Sequence, residues 1–137
     1  MPTTQRTRQP TSHPVDRLLA EIAAGRGISA GSWAGDARLD ATVPHWRFER
    51  EGAEAVAAEL SGWYDTPIEV ESVVRRPLPG GEAVELDLSW VQDGVPHAAH
   101  QLHLLDVDGG LIRRDTVFCG GRWPASLLAE MEAARGC

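Results

Sequence analysis

Cysteine is nearly absent. Cys119 and Cys137 are the only two in 137 residues, and one sits at the chain end. Two thiols so placed build no disulfide framework, which leads us to expect a reduced, cytoplasmic protein. Long apolar runs are missing too: none approaches the roughly 20 residues that a membrane-spanning helix needs. The opening residues hold no apolar core of the kind a secretory signal requires. Nor is there a basic excess. The formal charge is -7, from 13 basic against 20 acidic residues. Only Arg6 and Arg8 make a locally basic stretch. A nucleic-acid binder needs a basic stripe to displace counterions, so that class is set aside, and with it the membrane. The glycine pairs at 80–81, 109–110 and 120–121 do not precede a helix, as a phosphate-cradling loop must, and read as turns.

Aromatic residues are sparse and skewed. They are five Trp, two Phe and one Tyr. Trp is large and carries an N–H to satisfy, so it often walls a cavity or a subunit contact. The remaining balance, 42% hydrophobic and 24% charged, is that of a globular chain with its own core. One domain fits the length.

Residues 1–12 are polar, with Pro2 and Pro10, and are expected to form a flexible tail; residues 13–137 form the single domain. Val15, Leu18, Leu19, Ile22 and Ala23 share one face of an amphipathic helix, opened by Pro14 and closed by Gly25 and Gly27. Residues 28–35 predict a second, short helical piece carrying Trp33. Leu39, Ala41 and Val43 alternate with Asp40 and Thr42, the period of a half-buried strand. Pro44 interrupts it, and Trp46 and Phe48 resume it. Ala53, Val56, Ala57 and Leu60 mark another helix, whose stripe Trp63 extends. The period of two returns at Ile68, Val70, Ser72 and Val74, and again at Val84, Leu86, Leu88 and Trp90. Between Trp90 and Trp123 the turn signals Asp93-Gly94 and Asp108-Gly109-Gly110 divide three extended segments, an antiparallel meander. Pro124 opens a last helix with Leu127, Leu128 and Met131 on one side. Helices ahead of a run of consecutive strands argue for an α+β fold. The expected form is a cone-shaped, curved, mostly antiparallel sheet with the N-terminal helices on its concave face. Its open mouth is where a ligand would enter.

Three segments carry a family resemblance. They are A-G-D-A-R-L-D-A-T-V-P-H-W (Ala34 to Trp46), the helix after it, and D-G-G-L-I-R-R-D (Asp108 to Asp115). Together they resemble the nuclear transport factor 2-like superfamily, in its SnoaL-like branch. The likeness implies a cystatin-like α+β barrel, often a homodimer. Relatives of that kind include steroid isomerases, polyketide cyclases, dehydratases and epoxide hydrolases, beside non-catalytic binders and transport factors, so the fold does not set the chemistry. In the ketosteroid isomerase branch a general-base aspartate lies within the first strand. Here that place falls near Ala41, and Asp40 beside it points to the other face.

Both faces of segment 96–107 are partly apolar, so its period leaves the register open. The resemblance implies that Ile112 points into the cone, with the apolar positions before the turn. On that register Gln101, His103, Arg114, Thr116 and Phe118 face inward. Asp115 faces outward beside Arg113, and Leu102 and Leu104 face outward toward a second subunit. A one-residue slip would invert the set. His103 is the leading catalytic candidate, because imidazole accepts and donates a proton near neutral pH. Gln101 would orient a carbonyl or hydroxyl. Arg114 would hold a carboxylate, enolate or phenolate as a second catalytic group. Trp46, Trp63, Trp90, Thr116 and Phe118 would complete the substrate pocket. The plain alternatives are a histidine that only bonds a buried partner and an arginine that pairs an internal carboxylate.

His97, His100 and His103 spell H-x-x-H-x-x-H, but a strand turns His100 away from the other two, so no metal is expected. Cys119 reads as a structural thiol. Asp36 and Asp40 read as surface carboxylates, and Arg122-Trp123 as a structural clamp. No cofactor is implied. The expected function is a small-molecule enzyme doing general acid–base chemistry on an apolar carbonyl- or hydroxyl-bearing ligand, of isomerase, cyclase, dehydratase or epoxide hydrolase type. The alternative is a non-catalytic small-molecule-binding or assembly module of the same fold.

Overall fold

The computed structural model describes residues 13–135. The expected tail at 1–12 and the second cysteine, Cys137, lie outside the described residues. The first helix, α1, spans Pro14–Ala24. His13 precedes it with extended backbone, and its ring accepts the Val15 N–H at 3.2 Å. Pro14 follows at the position where a helix has no use for an N–H. Gly25 ends α1 in the left-handed conformation, at φ 67°. Only glycine fits there for a second reason: an added Cβ would lie 2.0 Å from the Thr66 carbonyl. That close approach, with the Ile68 N–H bonded to the Ala23 carbonyl at 3.0 Å, ties the end of α1 to the loop holding Thr66.

The helix expected over 28–35 is only a 3-10 turn at Ala30–Ser32. Ser29 caps it by accepting the Gly31 N–H. Trp33 is already extended, at φ -115° and ψ 144°. It opens the first strand because its backbone pairs with a strand from the far end of the chain, a tertiary contact that overrides local spacing.

β1 (Trp33–Val43) and β2 (Trp46–Glu51) form a hairpin, with His45 at φ 66° in its turn. α2 spans Ala53–Trp63. β3 (Glu69–Leu78), β4 (Gly81–Gln92), β5 (Val95–Asp108) and β6 (Leu111–Cys119) follow as an antiparallel meander. A two-residue β7 (Trp123–Pro124) pairs with β5, and α3 (Ala125–Arg135) ends the described chain. The order across the sheet is β2-β1-β6-β5-β4-β3. β1 runs parallel to β6. The fold is therefore α+β, with a curved, mostly antiparallel sheet.

Both early helices pack on the concave face. Val15, Leu18 and Ile22 from α1 and Val56 and Leu60 from α2 join Leu39, Leu86, Leu105 and Ile112 of the sheet in one buried cluster. Each such side chain contributes about 1.5–3 kcal/mol by leaving water. No described helix is long and apolar enough to cross a membrane.

Candidate ligand site

On β5 the pleat sends Ala99, Gln101, His103 and Leu105 to the concave face. Gln101 is 4% exposed and His103 1%. Tyr64 reaches the same place from α2, where it forms the C-terminal cap with its N–H on the Leu60 carbonyl. The Tyr64 hydroxyl donates to Gln101 Oε1 at 2.6 Å and stands 3.3 Å from His103 Nε2. The other ring nitrogen of His103, Nδ1, lies 2.8 and 3.0 Å from the two carboxylate oxygens of Asp115. A carboxylate only accepts, so Nδ1 carries the hydrogen. In the neutral ring Nε2 is then bare, and the single Tyr64 hydrogen sits between two acceptors. Burial pushes the Tyr64 phenol well above its ordinary range, and the Asp115 charge adds to the effect. The phenol is neutral at physiological pH. Among the described residues Gln101 Nε2 has only the Cys119 thiol for a partner, at 3.6 Å, which leaves it donor capacity.

Tyr64 and Gln101 border a cavity of about 440 Å³, within the usual size of small-molecule sites. Phe48, Trp63, Ile68, Leu88 and Trp90 wall it, and Cys119 and Arg122 complete its rim. His103 and Asp115 do not line the cavity. They sit behind Tyr64 and Gln101, one hydrogen bond and two hydrogen bonds removed from it.

The architecture has close counterparts among solved structures. A nuclear transport factor 2-like protein from Anabaena variabilis superposes with a TM-score of 0.66 at 15% identity, over 88% of this chain and 95% of the other. A protein with a cystatin-like fold from Silicibacter pomeroyi gives 0.58 at 17%, over 92% and 84%. One from Rhodopseudomonas palustris, provisionally described as an isomerase, gives 0.61 at 12%, over 93% and 99%. The chain has the nuclear transport factor 2-like fold. No protein-family model and no curated protein matches the sequence.

In this nuclear transport factor 2-like cone the expected site residues divide. Gln101, Trp63 and Trp90 line the cavity, and His103 lies one layer behind. Arg114, Thr116 and Phe118 do not face inward. The cause is a β-bulge. Asp106 pairs with Arg114 but Val107 pairs with Ile112, so Arg113 is an extra residue that resets the alternation of β6. Ile112 points in, as the resemblance implied, yet the next inward residues are Asp115 and Val117, both fully buried. Asp115, expected outside, is thus the carboxylate behind His103. Arg114 lies on the outer face, 3.4 Å from Asp40 and 3.3 Å from the Thr116 hydroxyl. Phe118 is 45% exposed there. Trp46 begins β2 and is 65% exposed, its side chain turned to solvent, and it does not join the cavity wall although its strand partner Val43 does.

Asp40, expected on the surface, is buried on the outer face. It accepts two hydrogen bonds from Arg47, at 3.0 and 2.8 Å. The Arg47 bonds hold its carboxyl below the ordinary range. His100 also faces outward, between Asp87 at 2.6 Å and Glu85 at 3.0 Å. His97 stacks on Trp90. Among the described residues no group of three His, Cys, Asp or Glu side chains is placed to hold a metal ion. The residues that sequence reasoning missed are Tyr64, Asp115 and Arg122. Tyr64 had one usable signal, its place directly after the helical stripe that Trp63 ends.

Proposed function

We propose that this chain is a small-molecule enzyme of the SnoaL-like kind that moves a proton on an apolar ligand bearing a carbonyl or hydroxyl group. The ligand would lie against Trp63, Trp90 and Phe48, with its oxygen taking a hydrogen bond from Gln101 Nε2. One observation carries the reading: Tyr64 borders the cavity and its hydroxyl is 3.3 Å from His103 Nε2, while Nδ1 of that ring is held by buried Asp115. Tyr64 Oη takes a proton from the ligand as its own passes to His103 Nε2. Asp115 then stabilises the imidazolium, and Gln101 stabilises the charge left on the ligand oxygen. Because one proton arrives as the other leaves, the disfavoured phenolate never forms. The reverse transfer returns the proton to another atom of the ligand, which serves isomerisation, cyclisation or dehydration. In this scheme Tyr64 is the catalytic residue and His103 and Asp115 act through it. Arg114 has no part in it.

Exchange of the α-protons of 2-tetralone in D2O, followed by NMR, tests the scheme. Wild-type protein accelerates exchange over buffer, and Tyr64→Phe and His103→Gln each lose roughly 10²–10⁴-fold. Binding without any exchange would overturn catalysis and leave the second reading, a non-catalytic binding module. That reading is favoured by the burial of His103, which is 1% exposed and does not line the cavity. We also propose a homodimer formed through the outer sheet face, where Leu102 and Leu104 are half-buried and Phe118 exposed. The protein is taken to be cytoplasmic, in keeping with the free thiol of Cys119.

A further inference from the structure

The cavity wall contains no carboxylate, in a chain whose formal charge is -7. It contains one fixed cation, Arg122. This arginine is held in place by its surroundings. The Gly120 N–H bonds the His100 carbonyl at 3.0 Å, fixing the chain as it leaves β6. Gly121 follows at φ 132°, where an added Cβ would lie 2.9 Å from the Trp123 indole nitrogen. The chain thereby folds against Trp123 and delivers Arg122 to the rim. Its guanidinium carbon sits 5.0 Å from the Trp90 ring centre, a cation–π contact. Trp90 is stacked in turn on His97. Gln92 Oε1 accepts from Arg122 at 3.1 Å and from the Trp90 indole N–H at 3.2 Å, locking both side chains to one oxygen.

Asp65 and Asp93 share a second cleft with Arg122, whose hydrogen bond goes instead to Gln92. Most other arginines of the fold are committed: Arg38, Arg47, Arg50, Arg75, Arg76 and Arg113 each pair with a carboxylate. Arg122 has a planar fork of donors, of which one is spent on the hydrogen bond to Gln92. The others are open to a ligand.

We infer that the ligand of this cavity is an aromatic or otherwise planar acid, whose carboxylate meets Arg122 at the rim while its uncharged oxygen reaches Tyr64 and Gln101. This rests on the small-molecule reading above and narrows it. One guanidinium suits a monoanion, and its fork matches the two oxygens of a carboxylate. The indole faces of Trp63 and Trp90 suit a flat apolar body. Arg122 thus has the role that sequence reasoning gave to Arg114, on the opposite face of the sheet.

The test uses 6-hydroxy-2-naphthoate and its neutral counterpart, 6-hydroxy-2-naphthalenemethanol, titrated calorimetrically into the full chain. The acid binds roughly ten- to a hundredfold more tightly, the range of a charge-assisted hydrogen bond. Arg122→Gln removes that preference, and Arg122→Lys retains part of it. Circular dichroism of each variant confirms that it is folded. Equal binding of the two probes by the wild type would overturn the anion inference alone and leave the small-molecule reading standing. A preference that survives in Arg122→Gln would also overturn it, by placing the anion elsewhere. Failure of both probes to bind would overturn the inference and the small-molecule reading together.

Discussion

His103 Nδ1 stands 2.8 Å from Asp115 Oδ2, and the two side chains are 2% and 0% exposed. Each is the other's reason for being tolerated in the core. Removing one partner strands a buried polar group, which costs roughly 1–3 kcal/mol, more where that group is charged. Asp115→Ala therefore lowers the urea midpoint strongly. The double variant His103→Leu with Asp115→Leu recovers much of the loss, because the orphaned polar group is gone. A midpoint for Asp115→Ala equal to that of the wild type would show that the contact contributes nothing to folding.

The chain has a single tyrosine, and burial holds its phenol well above the ordinary range. Absorbance at 295 nm should show no tyrosinate near pH 10, about where the unfolded residue ionises. In urea the same titration appears. The folded state keeps a proton that the unfolded state releases, so stability is lost as pH rises above about 10. Tyr64→Phe reduces this alkaline sensitivity. A tyrosinate signal at pH 10 in folded protein would contradict an enclosed phenol.

Asp40 answers to the opposite end of the scale. Hydrogen bonds from Arg47, together with the charges of Arg47 and Arg114, lower its carboxyl in the folded state, against desolvation by burial. Its contribution to stability is full above the unfolded value of about 3.9 and is lost as pH falls through the lower folded value. Asp40→Asn flattens the acid limb of stability against pH. Arg114→Gln raises the Asp40 carboxyl, read by NMR, and leaves binding of the naphthoate probe unchanged. Loss of probe binding in Arg114→Gln would return that residue to the site.

The outer sheet face makes a separate prediction. If Leu102 and Phe118 meet a second copy, sedimentation at micromolar concentration gives a dimer. Phe118→Glu shifts it to monomer, since a carboxylate at the centre of such a contact is buried without a partner. A monomeric wild type would remove the dimer from this account.

Much of the fold was legible from local pattern. α1 follows from apolar spacing with proline and glycine at its ends, and α2 from apolar spacing. The meander of β4, β5 and β6 follows from two Asp-Gly turns, because residues that tolerate positive φ mark where a chain reverses. The inward turn of Gln101 on β5 followed from the register that the resemblance implied for Ile112. Trp33 misled because its extended backbone comes from pairing with Ile112 across the sheet, which local spacing does not record. Arg114, Thr116 and Phe118 misled because alternation was carried straight through Arg113.

The sequence by itself determined α1, α2 and the strands of the meander, since those choices rest on neighbours two to four residues apart; it did not determine the strand start at Trp33. Only the tertiary structure decided which side chains share the cavity. The bulge at Arg113 depends on how β6 must fit between β5 and a parallel β1. That is a constraint between residues some 75 positions apart, such as Arg38 and Arg114, and it alone turned Asp115 toward His103. Tyr64, at the end of α2, and Arg122, in the link from β6 to β7, likewise owe their places to segments folded back onto the sheet, which no local period records.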